Sequence, residues 1–139
     1  MSAKTDLLRD LYDAISAGVT DERLTAFWHP AAEQVEYPSL MRPLGHRRSL
    51  AEMRAGAELG ARMIREQVFD VHHVVEQGDH VAVQLTWTAE LATDVGGHPA
   101  GSRLVSHVAA FYEFCDGLVL RQSSYDCYEP LPATGPIGG

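Results

Sequence analysis

A chain of 139 residues that is 45% hydrophobic and 22% charged carries enough apolar material for one domain with its own core, which excludes a disordered segment. Its net charge of −8 excludes a phosphate-backbone partner: the arginine-rich stretch "RPLGHRR", Arg42 to Arg48, reads as a solvated loop, so no nucleic acid is expected. The N-terminus lacks an apolar leader and no apolar run approaches about 18 residues, so no membrane partner is expected and the cytoplasm is the expected compartment.

The first half has helical period. In "TDLLRDLYDAIS" the apolar residues Leu7, Leu8, Leu11, Tyr12 and Ile15 form one stripe, with Thr5 as cap and Gly18 as stop, which predicts a helix over 5–17. "TDERLTAFWHP" predicts a second helix over 21–28, capped by Thr20, begun by Asp21 and Glu22, and stopped by Pro30. "AEQVEYP" reads as a short strand that ends at Pro38. After a proline-flanked loop, Ser49 and Glu52 form a capping box for a helix over 49–65. Its apolar stripe is Leu50, Met53, Ala57, Gly60, Ala61 and Ile64.

Near Gln67 the period changes to two, which predicts an antiparallel sheet from about 67 to 128. "QVFDVHHVVE" alternates, "QGD" turns, and "HVAVQLTWTAEL" alternates again. Val81, Val83, Leu85, Trp87 and Ala89 take one face; Ala82, Gln84, Thr86 and Thr88 take the other. "TDVGGHPAG" is turn chemistry. "HVAAFYEFCDGLVLRQSSYD" then reads as a hairpin about Asp116-Gly117, a pair suited to a type I′ turn. A regular ladder from that turn pairs Cys115 with Leu118 and His107 with Asp126, the latter with Cβ atoms about 4.5–5.5 Å apart. One bulge between turn and end breaks that pairing. In the same register Cys127 lies far from Cys115, so no disulfide is expected. The tail 131–139 is rich in proline and glycine and reads as loose, and 1–139 reads as a single domain with no repeat.

Helices followed by a meander give an α+β fold: a curved antiparallel sheet wrapped on three N-terminal helices, with a pocket between them. The segments "LYDAISAGVTDERLTAFWHPAAEQVEYP", "QGDHVAVQLTW", "GGHPAGSRLV" and "FYEFCDGLVLRQSSYD" resemble the nuclear-transport-factor-like superfamily of cone-shaped barrels, nearest its SnoaL-like polyketide cyclase group. The resemblance covers the chain to about Pro130. It implies a strand-end aspartate acting as general acid/base with a histidine nearby, a pattern that Asp126 and His107 match. It also implies that Tyr12 lies in the segment lining the pocket.

An acidic C–H needs a base beside it and a donor for the developing oxyanion, and a partly buried aspartate serves as that base. Asp126 and His107 are therefore the candidate catalytic pair, and Tyr12, Tyr37 and Trp87 the candidate pocket residues. Each also has a plain reading: a cross-strand ion pair of small worth, and core aromatics. "HH" places His72 and His73 on opposite strand faces, and no HxH or HExxH spacing exists, so no metal is expected. No nucleotide motif is present, and no cofactor is expected. The expected function is cofactor-free cyclase or isomerase chemistry on a small apolar or aromatic carbonyl ligand. The alternative is a non-catalytic ligand-binding or dimerisation module. Epoxide or water-addition chemistry needs a second carboxylate, with Asp70 or Glu36 as candidates. The weakly charged face of Ala82, Gln84, Thr86 and Thr88 predicts a homodimer.

Overall fold

The computed structural model describes residues 2–131, so the tail expected to be loose lies, from Pro132 on, outside the described residues. Helix α1 spans Ala3–Ser16. It starts earlier than its composition suggests because the Ser2 hydroxyl, not Thr5, caps it by accepting from the Thr5 N–H at 3.1 Å. Its apolar stripe buries Leu8, Leu11 and Tyr12. Helix α2 is a single turn, Glu22–Thr25, capped by Asp21 and not by Thr20. It ends early because the buried Trp28 already belongs to strand β1, Trp28–Glu36. Pro30 sits inside β1, where its missing N–H cannot join a ladder; the register breaks between Trp28 and Glu33.

Strand β2, His46–Ser49, leads directly into α3, Leu50–Met63, where the expected capping box of Ser49 and Glu52 is formed. None of α3 is fully buried. Leu50, Met53 and Ala57 pack against the core only in part, while Ala61 at the far end of the expected stripe is exposed. Strands β3 (Ile64–Gln77), β4 (His80–Leu91), β5 (Arg103–Cys115) and β6 (Leu118–Tyr128) form the antiparallel meander.

The six strands make one curved sheet in the order β2-β1-β6-β5-β4-β3. It is mixed and not wholly antiparallel: β1 runs parallel to β6. That pairing brings the helical half of the chain onto the last hairpin. The face of the sheet toward the helices carries Val81, Val83, Leu85, Ala110, Tyr112, Phe114 and Val119, which form the core with Leu8, Leu11 and Tyr12 of α1.

Two bulges decide which side chains face inward. In β3 the register shifts between Val71 and His73. His73 stands opposite Gln84 and His72 bonds Thr86 at 2.8 Å, so both histidines go to the convex side, against the expectation that they split between faces. In the last hairpin Asp116 (φ 54) and Gly117 (φ 76) make the expected tight turn. The register then shifts between Phe114 and Glu113, with Leu120 left out of the ladder.

The β1–β2 connection turns at Gly45, which has φ +71 and whose added Cβ would lie 2.7 Å from the Glu36 carbonyl oxygen. Gly45→Ala is expected to cost about 1–3 kcal/mol, from a left-handed backbone that alanine resists and a contact the chain must open. The check is the melting temperature by circular dichroism, with a drop of several degrees expected.

Candidate active site on the concave face

The register lays side chains across the concave face in rows. One row is Leu85, Val108 and Asp126; the next is Val83, Ala110, Ser124, Glu36 and His46. A third is Val81, Tyr112, Gln122, Gln34 and Arg48, and a fourth is Phe69, Trp87, Ser106 and Tyr128. The rows grade from apolar on β4 to polar on β1 and β2. Asp126 lies at the boundary between the two.

The Asp126 carboxyl is held above its usual range, first by burial and then by the nearby Glu36 charge, with the Ser124 hydroxyl bond at 3.2 Å opposing. Glu36 stays beside two cations: Arg48 Nη1 donates to Glu36 Oε1 at 2.7 Å, and Arg42 Nε lies 3.8 Å from its other oxygen. Two carboxyls in one half-buried space therefore have different tasks. Glu36 is paired with two arginines; Asp126 has only a hydroxyl and holds its proton more tightly.

A chain of hydrogen bonds runs across the third row. Arg48 Nη1 donates to Gln34 Oε1 at 2.8 Å, and Gln34 Nε2 donates to Gln122 Oε1 at 2.8 Å. Gln122 Nε2 donates to the Tyr112 hydroxyl oxygen at 3.1 Å, which lies 2.6 Å from the Tyr12 hydroxyl. Arg48 has no acceptor, so it fixes the orientation of the Gln34 amide, and that orientation passes along the chain. The Tyr112 oxygen accepts from Gln122, and either hydroxyl can be the donor between Tyr112 and Tyr12. With Tyr112 as the donor, the Tyr12 O–H stands at the end of the chain. Burial raises the Tyr12 hydroxyl to about 12, and raises that of Tyr112 well above 10.0, so both stay protonated at neutral pH. The Asp126 charge also reaches Tyr112, which places the carboxyl and this chain in one electrostatic neighbourhood.

The sequence candidates separate. Asp126 and Tyr12 face the concave side. Trp87 does too, half-buried, with its Nε1–H on Gln67 Oε1 at 3.0 Å and its ring edge-on to Tyr128. His107 does not. The bulge moves its partner to Cys127 and puts Val108 opposite Asp126, so the expected face-to-face pair is not formed. The His107 Nε2 meets Glu129 Oε2 at 2.9 Å on the convex side. Tyr37 is also outside: it stacks on Tyr125 with centroids 4.6 Å apart, and Tyr125 meets Phe111 edge-on. Asp70 is exposed and paired opposite Thr86, whereas Glu36, the other candidate for a second carboxylate, is the one brought to Asp126. Tyr112, Gln122, Gln34, Arg48 and Ser106 were not legible as site residues. Their common signal is a polar residue at an inward position, and that signal depends on knowing the bulge.

No helix among the described residues is long and apolar enough to cross a membrane. The fold recurs in solved structures. IdmH from Streptomyces antibioticus aligns at 19% identity over 88% of this chain and 91% of its own, with a TM-score of 0.72. A SnoaL-like polyketide cyclase from Agrobacterium tumefaciens aligns at 16% identity over 95% of each chain, with a TM-score of 0.65. A protein of ketosteroid isomerase-like fold from Catenulispora acidiphila, solved with trimethylamine, aligns at 12% identity over 86% and 83%, with a TM-score of 0.68. A search of the curated proteins finds no match. At these identities the structures speak for the fold alone. The sequence itself goes further, because the family model of the SnoaL-like domain matches residues 8–122, from the buried stripe of α1 to the inward-facing Gln122 of β6, and the chain therefore belongs to the SnoaL-like domain family.

Proposed function

We propose that this protein is a cofactor-free enzyme of cyclase or isomerase type that moves a proton on a small apolar or aromatic carbonyl compound. Asp126 takes the proton from the carbon beside the carbonyl and returns it elsewhere. Tyr12 donates to the carbonyl oxygen as negative charge develops there. Trp87, Tyr128 and Phe69 offer flat apolar surface to the substrate. The observation that carries this reading is a half-buried carboxyl with a raised pKa on the same face as a buried tyrosine hydroxyl that ends a hydrogen-bonded chain. A base poised closer to neutrality and a donor that costs no reorganisation are what enolisation requires. The SnoaL-like relatives named as polyketide cyclases accord with this substrate class. The two free cysteines suit a reducing compartment, and we place the protein in the cytoplasm.

The test is solvent deuterium exchange. A panel of cyclic and aromatic ketones with acidic α-hydrogens is incubated with protein in heavy water and read by mass spectrometry. Incorporation above the buffer rate supports the reading. Binding without incorporation across the panel supports the non-catalytic module instead. A second reading, opening of an epoxide by water, is favoured by the Glu36 charge at Asp126: Glu36 would take a proton from the attacking water while protonated Asp126 donates to the epoxide oxygen as its C–O bond breaks. Its mark is incorporation of labelled oxygen from water without α-deuteration.

We also propose that the convex face joins two copies. Phe111 is 50% exposed and Tyr125 47%, and with Tyr37 they form an aromatic patch. Beside it His72, Gln84, Thr86, His107, Ala109 and Cys127 line an open groove of about 250 Å³. Patches of this kind on a curved sheet meet a partner more often than water. Light scattering should give twice the chain mass at micromolar concentration, and Phe111→Arg should shift it to the monomer. A monomer for the unchanged protein would remove the proposal.

A further inference from the structure

We propose a metal site at the end of the sheet away from Asp126, in which His29 Nε2, Cys115 Sγ and an Asp116 carboxylate oxygen hold one zinc-class divalent ion with water as fourth ligand. The three ligand atoms lie within 4.8 Å of one another. The His29 Nε2 is 3.9 Å from Asp116 Oδ2, and the Cys115 Sγ is 3.7 Å from the same oxygen. Around a tetrahedral ion such atoms stand about 3.3–3.6 Å apart, so the two contacts with Asp116 must close by about half an ångström and the gap between His29 and Cys115 by up to about 1.3 Å. Asp116, whose side chain is 84% exposed, can adjust to both partners, while the gap between His29 and Cys115 closes by rotation of those two side chains. A set of one imidazole, one thiolate and one carboxylate suits a borderline ion such as zinc and not magnesium or calcium, which take oxygen ligands.

The spacing along the sequence hides the group. His29 comes from the start of β1, and Cys115 and Asp116 from the β5–β6 turn; the parallel pairing of Trp28 with Val119 brings them together. The surrounding charge favours a cation, because Asp79 and Glu113 also act on the Cys115 thiol. Two adjustments accompany binding. The thiol loses its proton to water as the Cys115–metal bond forms. His29 Nδ1 now accepts from the Ala31 N–H at 3.0 Å, so Nε2 becomes a free lone pair only when the ring proton moves to Nδ1 and that N–H turns to water. Ala31 is exposed, so water is at hand. One proton is released in all, and affinity should rise roughly tenfold per pH unit while the free thiol is protonated. The bound ion would tie the β5–β6 turn to the start of β1.

The test titrates the full chain with cobalt(II) and reads the near-ultraviolet band of thiolate-to-cobalt charge transfer. The expected result is one equivalent bound, with the visible spectrum of a tetrahedral ion. Cys115→Ser should remove the band. His29→Gln and Asp116→Asn should weaken binding tenfold or more, asparagine being chosen because it tolerates the φ of Asp116. Cys127→Ser is the control and should leave the titration unchanged. Zinc should compete for the same equivalent and raise the melting temperature of the unchanged protein but not of Cys115→Ser. No saturable band up to millimolar cobalt would overturn the proposal, as would a band that survives Cys115→Ser or disappears with Cys127→Ser.

Discussion

Asp126→Asn should abolish deuterium exchange while the protein becomes more stable at neutral pH. The amide keeps the shape of the carboxyl and can still accept from Ser124, but it takes no proton, and loss of a general base costs about 10²–10⁴-fold in rate. The gain in stability follows from the raised pKa. Burial and the Glu36 charge make ionised Asp126 costly in the folded state, so the native carboxyl binds its proton more tightly than the unfolded one. A raised folded value means that the favourable contribution is complete below the ordinary value of 3.8 and is lost as pH rises through the folded value. The difference in melting temperature between the variant and the parent should therefore be near zero in strong acid, grow across that window, and hold at neutral pH. The same shift puts the acid limb of the rate profile above the ordinary aspartate range. Unchanged exchange in the variant would remove Asp126 from catalysis, and a lower melting temperature at neutral pH would contradict the charge argument.

The fold was legible because its signals are local and repeated. Leu8, Leu11 and Tyr12 mark α1 by their spacing, Ser49 and Glu52 mark the start of α3, and the alternation from Val81 to Ala89 sets the inner face of β4. Asp116-Gly117 marked the tight turn for the same reason: two residues are enough to specify it. The site was legible only in part because it depends on register carried along two strands. One bulge near Leu120 is invisible in composition, yet it reverses every side chain beyond it relative to β5. Asp126 thereby joined Tyr112 and left His107, and Phe111 and Tyr125 went together to the convex face. The parallel pairing of β1 with β6 was hidden too. It is a contact between distant segments, and it delivers Gln34 and Glu36 to the concave face and His29 to the β5–β6 turn.

Tyr12→Phe should lower deuterium exchange by about 10²–10³-fold with little loss of substrate binding, the size expected when one donor to a developing oxyanion is removed. The argument rests on direction. Arg48 can only donate, which orients Gln34 and Gln122; with Tyr112 donating in turn, the Tyr12 hydroxyl is the end of the chain that we propose meets the substrate. Phenylalanine at 12 retains the stack on Phe69, whose centroid lies 4.8 Å away, but it leaves the buried Tyr112 hydroxyl without its partner, which should cost about 1–3 kcal/mol. Tyr112→Phe separates position from chemistry. It leaves the Tyr12 donor in place but strips the Gln122 amide of its acceptor inside the core, which should cost about 1–3 kcal/mol of stability. Its exchange rate should fall less than that of Tyr12→Phe, because the donor is present but no longer held. Both variants should lower the melting temperature, so the difference in exchange rate, larger for Tyr12→Phe, is what separates chemistry from position. A further mark is the alkaline side of the profile. The Tyr12 hydroxyl ionises only near 12, so exchange in the parent should show no alkaline decline below about pH 11 that Tyr12→Phe removes. Equal exchange rates in parent and Tyr12→Phe would leave the chain of hydrogen bonds as a feature of the core alone.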